Sequence, residues 1–340
     1  MLTIEEFRPF WHSSKRKTAL SLAVQYNLNP DTIRKAEWFN NLYNQITQEI
    51  RTAKPLTSSA PPVAFSNDIE DLLEERCQKY RKKYLQEQET RIKTVAVGAK
   101  PIAILHLGDP HLDDDGCDLP LLREHIKLAV RCPRVYGGNI GDTTNNWIGR
   151  LERLYAKQSA TFDEAIALAE WLCRSIEWAY FVTGNHDQWG QGSTILKLLL
   201  RGSKVWATVG HECRLSLRFD NGVIVNICAR HDHKGRSMYH STHGALKAHI
   251  FGDRWADLHI SGHTHQWGLL QIETEDGKPR WAIRVRGYKR MDEFAREKGL
   301  YEPHYGCACL TVINPYVPEC DRILAFWDVS TGLRYFESIR

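Results

Sequence analysis

Five short blocks of histidine, aspartate, asparagine and glycine recur along this chain, and each closes or follows a short apolar run. They are Asp109-Pro110-His111, Gly141-Asp142, Gly184-Asn185-His186-Asp187, His231 within Arg230-His231-Asp232-His233, and Gly262-His263-Thr264-His265. Ile102 to Leu107 reads as a buried strand, being largely apolar and of strand length, and Leu258 to Ser261 leads into the last histidine pair. A chain that repeatedly leaves a buried strand for a polar loop is constrained towards a layered α/β fold, in which sites gather at strand C-termini. The intervening sequence agrees. Pro120 to Val130 reads as helix, Arg134 to Tyr136 as a short strand, and Thr161-Phe162-Asp163-Glu164 as a capping box opening a helix that runs to Ile176. Trp178 to Thr183 reads as a strand, and Arg214 to Phe219, turning at Asp220-Asn221-Gly222 into Val223 to Ala229, as a hairpin. Asp276-Gly277 and Ser330-Thr331-Gly332 mark further hairpins, so a β-rich C-terminal portion is expected.

The first hundred residues have a different character. Residues 1–52 read as a helical unit: Lys17 to Tyr26 has helical spacing, Pro30 interrupts it, and Asp31 or Thr32 caps the next helix. This resembles a helix-turn-helix, with Leu22, Ala23, Leu28 and Ile33 at its buried positions. Thr32, Arg34 and Lys35 would then face a DNA groove, with Arg8, Lys15, Arg16 and Lys17 near phosphates. The alternative is a helical hairpin serving as architecture. Residues 53–66 are small, polar and proline-rich and read as a linker. Residues 67–92 read as a charged helix capped by Asn67, with Ile69, Leu72, Leu73, Cys77, Tyr80 and Tyr84 on one face and a basic cluster at Lys79, Arg81, Lys82 and Lys83. That helix is expected to lie across the main domain, residues 97–340.

Composition narrows the function classes. A net charge of +4 over 340 residues neither demands nor excludes nucleic acid. No apolar stretch approaches the roughly 18 residues that span a bilayer, and the N-terminus lacks a signal-peptide core, so no membrane association is expected. Nine cysteines without C-x-x-C spacing fit free thiols in a reducing cytoplasm. Of fifteen histidines only His12 precedes residue 100, which places a metal-using domain beyond it. Carboxylate, amide oxygen and imidazole without thiolate suit a hard-to-borderline divalent ion. The five blocks hold too many such groups for one ion and a natural number for two. That is the composition of a two-metal hydrolytic centre, where ions about 3.5–4 Å apart clamp the oxygens at phosphorus.

The ordered set D-x-H, G-D, G-N-H-D, H and G-H-x-H resembles the calcineurin-like metallophosphoesterases over about residues 100–340, with the motifs themselves confined to 109–265. The resemblance implies an α/β fold, a four-layer α/β/β/α sandwich with the small N-terminal helical unit appended. It implies that Asp109, His111 and His265 bind a first metal, that Asn185, His231 and His263 bind a second, and that Asp142 bridges them. His186 would be the general acid and Asp187 would orient it, or else cap a turn. A bridging water acidified by two cations would attack phosphorus in line. Two divalent ions are expected, manganese foremost, with iron, zinc, nickel and magnesium also fitting. His233 stands as the alternative to His231. His240 and His243 line the cleft or else belong to a helix starting at Ser241 or Thr242, while Asn145, Asn146 and Trp147 are candidates for the substrate mouth. His263 and His265 read as alternating on an extended segment, and Arg284, Arg286, Tyr288, Lys289 and Arg290 as a strand with one wet face. The expected activity is phosphate-ester hydrolysis by a phosphodiesterase or nuclease acting on DNA or RNA. The alternatives are a phosphatase or phosphodiesterase for a small molecule or phosphoprotein, and a DNA-binding regulator with a secondary metal domain.

Overall fold

A computed structural model describes residues 69–90, 92–148, 158–208, 210–252, 254–290 and 304–340, with residues 152 and 299. The chain divides into two units, Met1–Arg76 and Cys77–Arg340. The expected helix-turn-helix and linker lie outside the described residues. Helix α1 (Ile69–Thr90) forms where expected, and Tyr80 and Tyr84, on its expected apolar face, are exposed and stack on each other at 6.2 Å.

The second unit is built on two six-stranded sheets. In the first, parallel strands β2 (Ile102–Leu107), β3 (Val135–Asn139), β4 (Trp178–Phe181) and β5 (Val205–Thr208) follow one another, and β11 (Ala308–Ile313) and β12 (Ile323–Phe326) add antiparallel beyond β2. In the second, the order is β1 (Lys93–Gly98), β6 (Glu212–Phe219), β7 (Ile224–Arg230), β8 (Leu258–Ser261), β10 (Pro279–Arg284) and β9 (Gly268–Glu273).

Side-chain alternation along β2 shows how the layers stack. Ala103, Leu105 and Leu107 point to one side, into a core shared with α2 (Leu119–Arg131), α3 (Phe162–Ser175) and α7 (Val329–Ile339). Ile102 and Ile104 point to the other, into a second core with Leu215, Leu217, Ile227, Ile260 and Ile283 of the opposite sheet. Helix α6 (His243–Phe251) covers the far face of that sheet over β8 and β10. The layers are therefore helix, sheet, sheet, helix, as expected.

Local chemistry sets the helix ends. The Asp118 carboxylate accepts from Leu121 N ahead of α2, and Thr161 with Glu164 forms the expected capping box on α3. Two elements depart from expectation. Ser330-Thr331-Gly332 is no hairpin: it lies in α7, because the Asp328 carboxylate accepts from Thr331 N at 2.7 Å and starts a helix whose Val329, Leu333 and Phe336 are buried. Strand β1 pairs parallel with β6 at the sheet edge and begins at Lys93, ahead of the expected start at residue 97. Its Lys93, Thr94 and Ala96 are exposed, and only Val95 and Val97 mark its inner face.

Candidate metal centre

Parallel pairing brings the five blocks to one edge of the sandwich. Leu107 is paired with Asn139 and Asn139 with Phe181, so β2, β3 and β4 end level and release their loops together. Ala229 and Ile260 do the same for β7 and β8 in the other sheet. The loops after the first three carry Asp109, His111, Asp142, Asn185 and His186, and those after the last two carry His231, His263 and His265.

These loops turn sharply. Asp109, His111, Asp142, His263 and His265 all have positive φ, from 25° to 71°. Such backbone costs on the order of 1–3 kcal/mol per non-glycine residue and persists where the surroundings over-determine it, which is characteristic of functional sites. The His263-Thr264-His265 segment is thus a tight left-handed turn rather than the expected extended run, and Thr264 N closes on Gly262 O at 2.9 Å. Gly141 (φ +105°) and Gly184 face each other across the site. A Cβ on Gly141 would lie 2.3 Å from Gly184 N, and one on Gly184 would lie 2.0 Å from Asp142 Oδ1.

The side chains form three overlapping groups of ligand atoms: Asp109, His111 and His265; His111, Asp142 and His186; and Asp142, His231 and His263. Asp142 joins two of them, as a shared carboxylate must. His231 is oriented by its Nδ1, 2.9 Å from Ile140 O. A carbonyl only accepts, so Nδ1 carries the proton and Nε2 is left to ligate. That Nε2 lies 3.1 Å from Asp142 Oδ2, 3.0 Å from Asn185 Oδ1 and 2.9 Å from His263 Nδ1. Asp109 Oδ2 accepts from His263 N at 2.8 Å, tying the two sheets together through a ligand.

The donor set fits divalent cations. Asp109 Oδ1 and both ring nitrogens of His111 are buried with no hydrogen-bond partner, an arrangement that costs stability unless something of positive charge satisfies it. Charge distribution agrees. Burial pushes the Asp109 carboxyl up to about 8 and holds the imidazole of His111 well below its ordinary value, so one of its ring nitrogens keeps a lone pair available. Burial opposes charge on His231, yet Asp142 and Asp109 hold it up at about 10. Burial likewise favours neutral Asp142, yet His231, His111 and His186 keep it below the carboxylate range. A His231 imidazole held in its charged form beside the Asp142 carboxylate marks a place that calls for positive charge, which a divalent ion would supply in exchange for the Nε2 proton. The helix, sheet, sheet, helix layering and these ligand groups agree with what the resemblance to the calcineurin-like metallophosphoesterases implies.

No family model and no curated protein matches this chain. Among solved structures it is similar to the NAD nucleotidase of Haemophilus influenzae over 66% of this chain and 49% of that one, at 12% identity and a TM-score of 0.38. The calcineurin-like phosphoesterase YfkN of Bacillus subtilis aligns over 70% of this chain and 97% of its own, at 12% identity and a TM-score of 0.36. A 5'-nucleotidase precursor of Thermus thermophilus aligns over 70% and 58%, at 11% identity and a TM-score of 0.35. The chain spans about half the length of the NAD nucleotidase it matches.

Around the candidate metal ligands, several expectations are redrawn. Asp187 does not meet the His186 ring and takes the turn-capping alternative. Its carboxylate accepts three main-chain N–H groups, from Asp142 at 2.7 Å, Gly184 at 2.8 Å and Thr143 at 2.9 Å, and so clamps the loop that presents Asp142. Burial, then the charge of Asp142, raises Asp187 to about 6. The partner of His186 Nδ1 is instead the main-chain oxygen of Asn145, a feature with no side-chain signature to read in advance. The His186 ring is wedged between Trp147 and Trp189, with centroids 5.2 and 4.2 Å away. His233 lies outside the ligand groups: it is buried against His259, and burial pushes it down to about 3.

The basic stretch after β10 is not a wet strand face. Arg284, Arg286, Tyr288 and Lys289 are all buried. Arg284 forks between Thr264 Oγ1 at 2.6 Å and Asp232 Oδ1 at 2.8 Å, bracing the turn that holds both ligand histidines. Lys289 pairs with Asp114 at 2.9 Å and lies 5.7 Å from the Trp147 ring centroid. An arginine ending the strand beside the one that delivers the His263 turn was the available clue. His243 opens α6 after Thr242, while His240 lines a polar pocket beside His263.

Proposed function

We propose that this protein hydrolyses phosphate esters at a centre of two divalent ions. Asp109, His111 and His265 would hold the first, Asn185, His231 and His263 the second, and Asp142 both. The observation that carries this reading is the convergence of all five blocks on one edge with the Asp109 and His111 ligand atoms left buried and unpartnered. When bound, such ions stabilise charge on phosphoryl oxygens and acidify water, with manganese the first candidate.

The chain's own groups do the rest. Asp187 fixes the Asp142 backbone, and the His186 N–H holds Asp142 Oδ1 at 2.9 Å. With Nδ1–H given to the Asn145 carbonyl, His186 presents Nε2 to the site, 3.9 Å from Asp142 Oδ2. There it holds the proton that a departing alkoxide needs. Trp147 and Trp189 restrict the ring and keep water from it.

We take the substrate to be a phosphodiester, with nucleic acid foremost. The exposed basic cluster of α1 at Lys79, Arg81, Lys82 and Lys83 and the polar pocket beside His263 support this. The test is turnover by manganese-reconstituted protein on single-stranded DNA, duplex DNA, RNA, cyclic nucleotides and a phosphomonoester. Diester cleavage abolished by chelation is expected. Activity on the monoester alone would favour the phosphatase reading, and no turnover on any of them would overturn the proposal.

A further inference from the structure

We propose that the polar pocket beside His263 binds a second phosphate of the substrate, carried next to the ester that is cleaved, and that Arg236 anchors it. The inference rests on the hydrolase reading above and adds the substrate's chemistry to it. The pocket encloses about 520 Å³ and extends from the loop between β7 and α6 to His263 and Thr264. Its walls include Arg236, Ser237, His240, Ser241, Gln266 and Arg284, and among the described residues no Asp or Glu lines it.

Charge separates the two arginines. Arg284 is buried and its charge is answered by Asp232, which leaves it a brace with only its Nε unpartnered. Arg236 is exposed and has no hydrogen-bond or ion-pair partner among the described residues. A guanidinium presents five donors in a fork that matches phosphate oxygens. The volume falls within the roughly 300–1,000 Å³ of ligand pockets, whereas a single phosphate held at the ligand cluster would leave it unused. An anion that must lie beside the reacting phosphoryl group, in a cationic pocket without carboxylates, is best met by the substrate's own neighbouring phosphate. That group comes either from the next position of a polynucleotide strand or from a nucleoside polyphosphate.

The experiment compares thymidine 3'-phosphate 5'-(p-nitrophenyl phosphate) with thymidine 5'-(p-nitrophenyl phosphate), which share leaving group and reacting ester and differ by one phosphate. On the manganese-loaded protein the first should have a kcat/KM higher by about tenfold, the scale of one charge-assisted contact at a solvent-exposed site. Arg236→Ala should bring the ratio near one and Arg236→Lys should keep part of it; the exposed position leaves the unfolding midpoint of both unchanged. In parallel, calorimetry compares thymidine 3',5'-bisphosphate, thymidine 5'-diphosphate and thymidine 5'-monophosphate. A gain for the bisphosphate identifies a strand and a gain for the diphosphate a polyphosphate, and either gain should vanish in Arg236→Ala. A wild-type ratio near one with no gain for either the bisphosphate or the diphosphate, or a ratio or gain that survives in Arg236→Ala, overturns the pocket assignment while turnover of both esters leaves the hydrolase standing. Arg236-dependent binding without turnover keeps the pocket and sinks the hydrolase. Neither binding nor turnover sinks both.

Discussion

Gly184→Ala isolates the packing that holds the shared carboxylate. Gly184 has φ −87° and ψ −174°, extended backbone that alanine adopts freely, so the substitution adds volume without backbone strain. The new Cβ would lie 2.0 Å from Asp142 Oδ1, 2.5 Å from Asp142 N and 2.7 Å from Asp142 Cγ. Each is shorter by about an ångström than ordinary contact between carbon atoms, about 3.5–4.0 Å, allows. Asp142 cannot yield cheaply, since its N–H is held by Asp187 at 2.7 Å and its Oδ1 by the His186 N–H at 2.9 Å. Overpacking costs about 1–3 kcal/mol and a broken charge-assisted hydrogen bond about 1.5–3, so a loss of about 3 kcal/mol or more is expected. It would be read as a lower urea midpoint at unchanged m-value. Displacing a ligand should also weaken manganese binding beyond the ~10–100-fold that outer-shell changes cost, measured by metal titration, and activity should follow. The control is Gly98→Ala. Gly98 has φ +77° with nothing within 4 Å of its added Cβ, so it should cost about 1 kcal/mol of backbone strain and no activity. Should Gly184→Ala keep full metal content and rate while losing no more stability than Gly98→Ala, the shared-carboxylate arrangement is wrong.

His186→Ala should keep its metal and lose about 10²–10⁴-fold in turnover of esters with alkoxide leaving groups, but far less with p-nitrophenolate, which needs no proton. Equal losses on both would remove His186 from the acid role. Arg284→Lys should cost about 2–3 kcal/mol in urea unfolding, below the roughly 3–5 of a fully buried pair because Asp232 is 29% exposed, and should weaken metal binding through the His263 turn; wild-type affinity would refute the brace. His106, between the Tyr180 hydroxyl and Thr311 Oγ1, is pushed by burial down to about 3. The unfolded chain takes that proton near 6.5, so the native state keeps its full stability above about pH 6.5 and loses it as pH falls towards 3. His106→Gln should therefore flatten stability against pH between 6 and 4 by about 1.4 kcal/mol per pH unit, and an unaltered slope would mean that His106 titrates normally in the folded protein.

What could be read in advance was whatever side-chain chemistry alone determines. Ile102–Leu107 matches its strand to the residue, because five of its six residues are apolar and all six are buried. Thr161 and Glu164 located the start of α3 because a capping box is a side-chain device. The ligand blocks were legible for the same reason: metal chemistry admits few residue types. Backbone geometry and backbone partners were not. Asp187 looks like a partner for the neighbouring imidazole, yet its oxygens go to three main-chain N–H groups that no sequence displays. The left-handed turn at His263 and His265 runs against the preference of those residues, and only the packed site justifies it. Edge strand β1 offered only Val95 and Val97 as an apolar face, and Gly332 disguised α7, whose start depends on a cap at Asp328.

The division of ligands between the sheets has a consequence for how the protein holds together. Loops of the first sheet supply Asp109, His111, Asp142 and Asn185, and loops of the second supply His231, His263 and His265. Neither set is a site alone. In the proposed assignment, the first ion would draw on Asp109 and His111 from one sheet and His265 from the other, and the second on Asn185 from one and His231 and His263 from the other. Protein bonds already cross the same gap through these residues, from His263 N to Asp109 and from His231 Nδ1 to the Ile140 carbonyl. Metal binding is then a clasp on the sandwich as well as a source of reactivity. Ions that bind the folded state alone stabilise it by mass action, about 2.7 kcal/mol at a free concentration one hundred times the Kd. The gain should reside in the contact between sheets, so hydrogen exchange in β7 and β8 should slow on metal addition along with that in β2 and β3. Slowing confined to one sheet would place both ions on that sheet's ligands and break the proposed division.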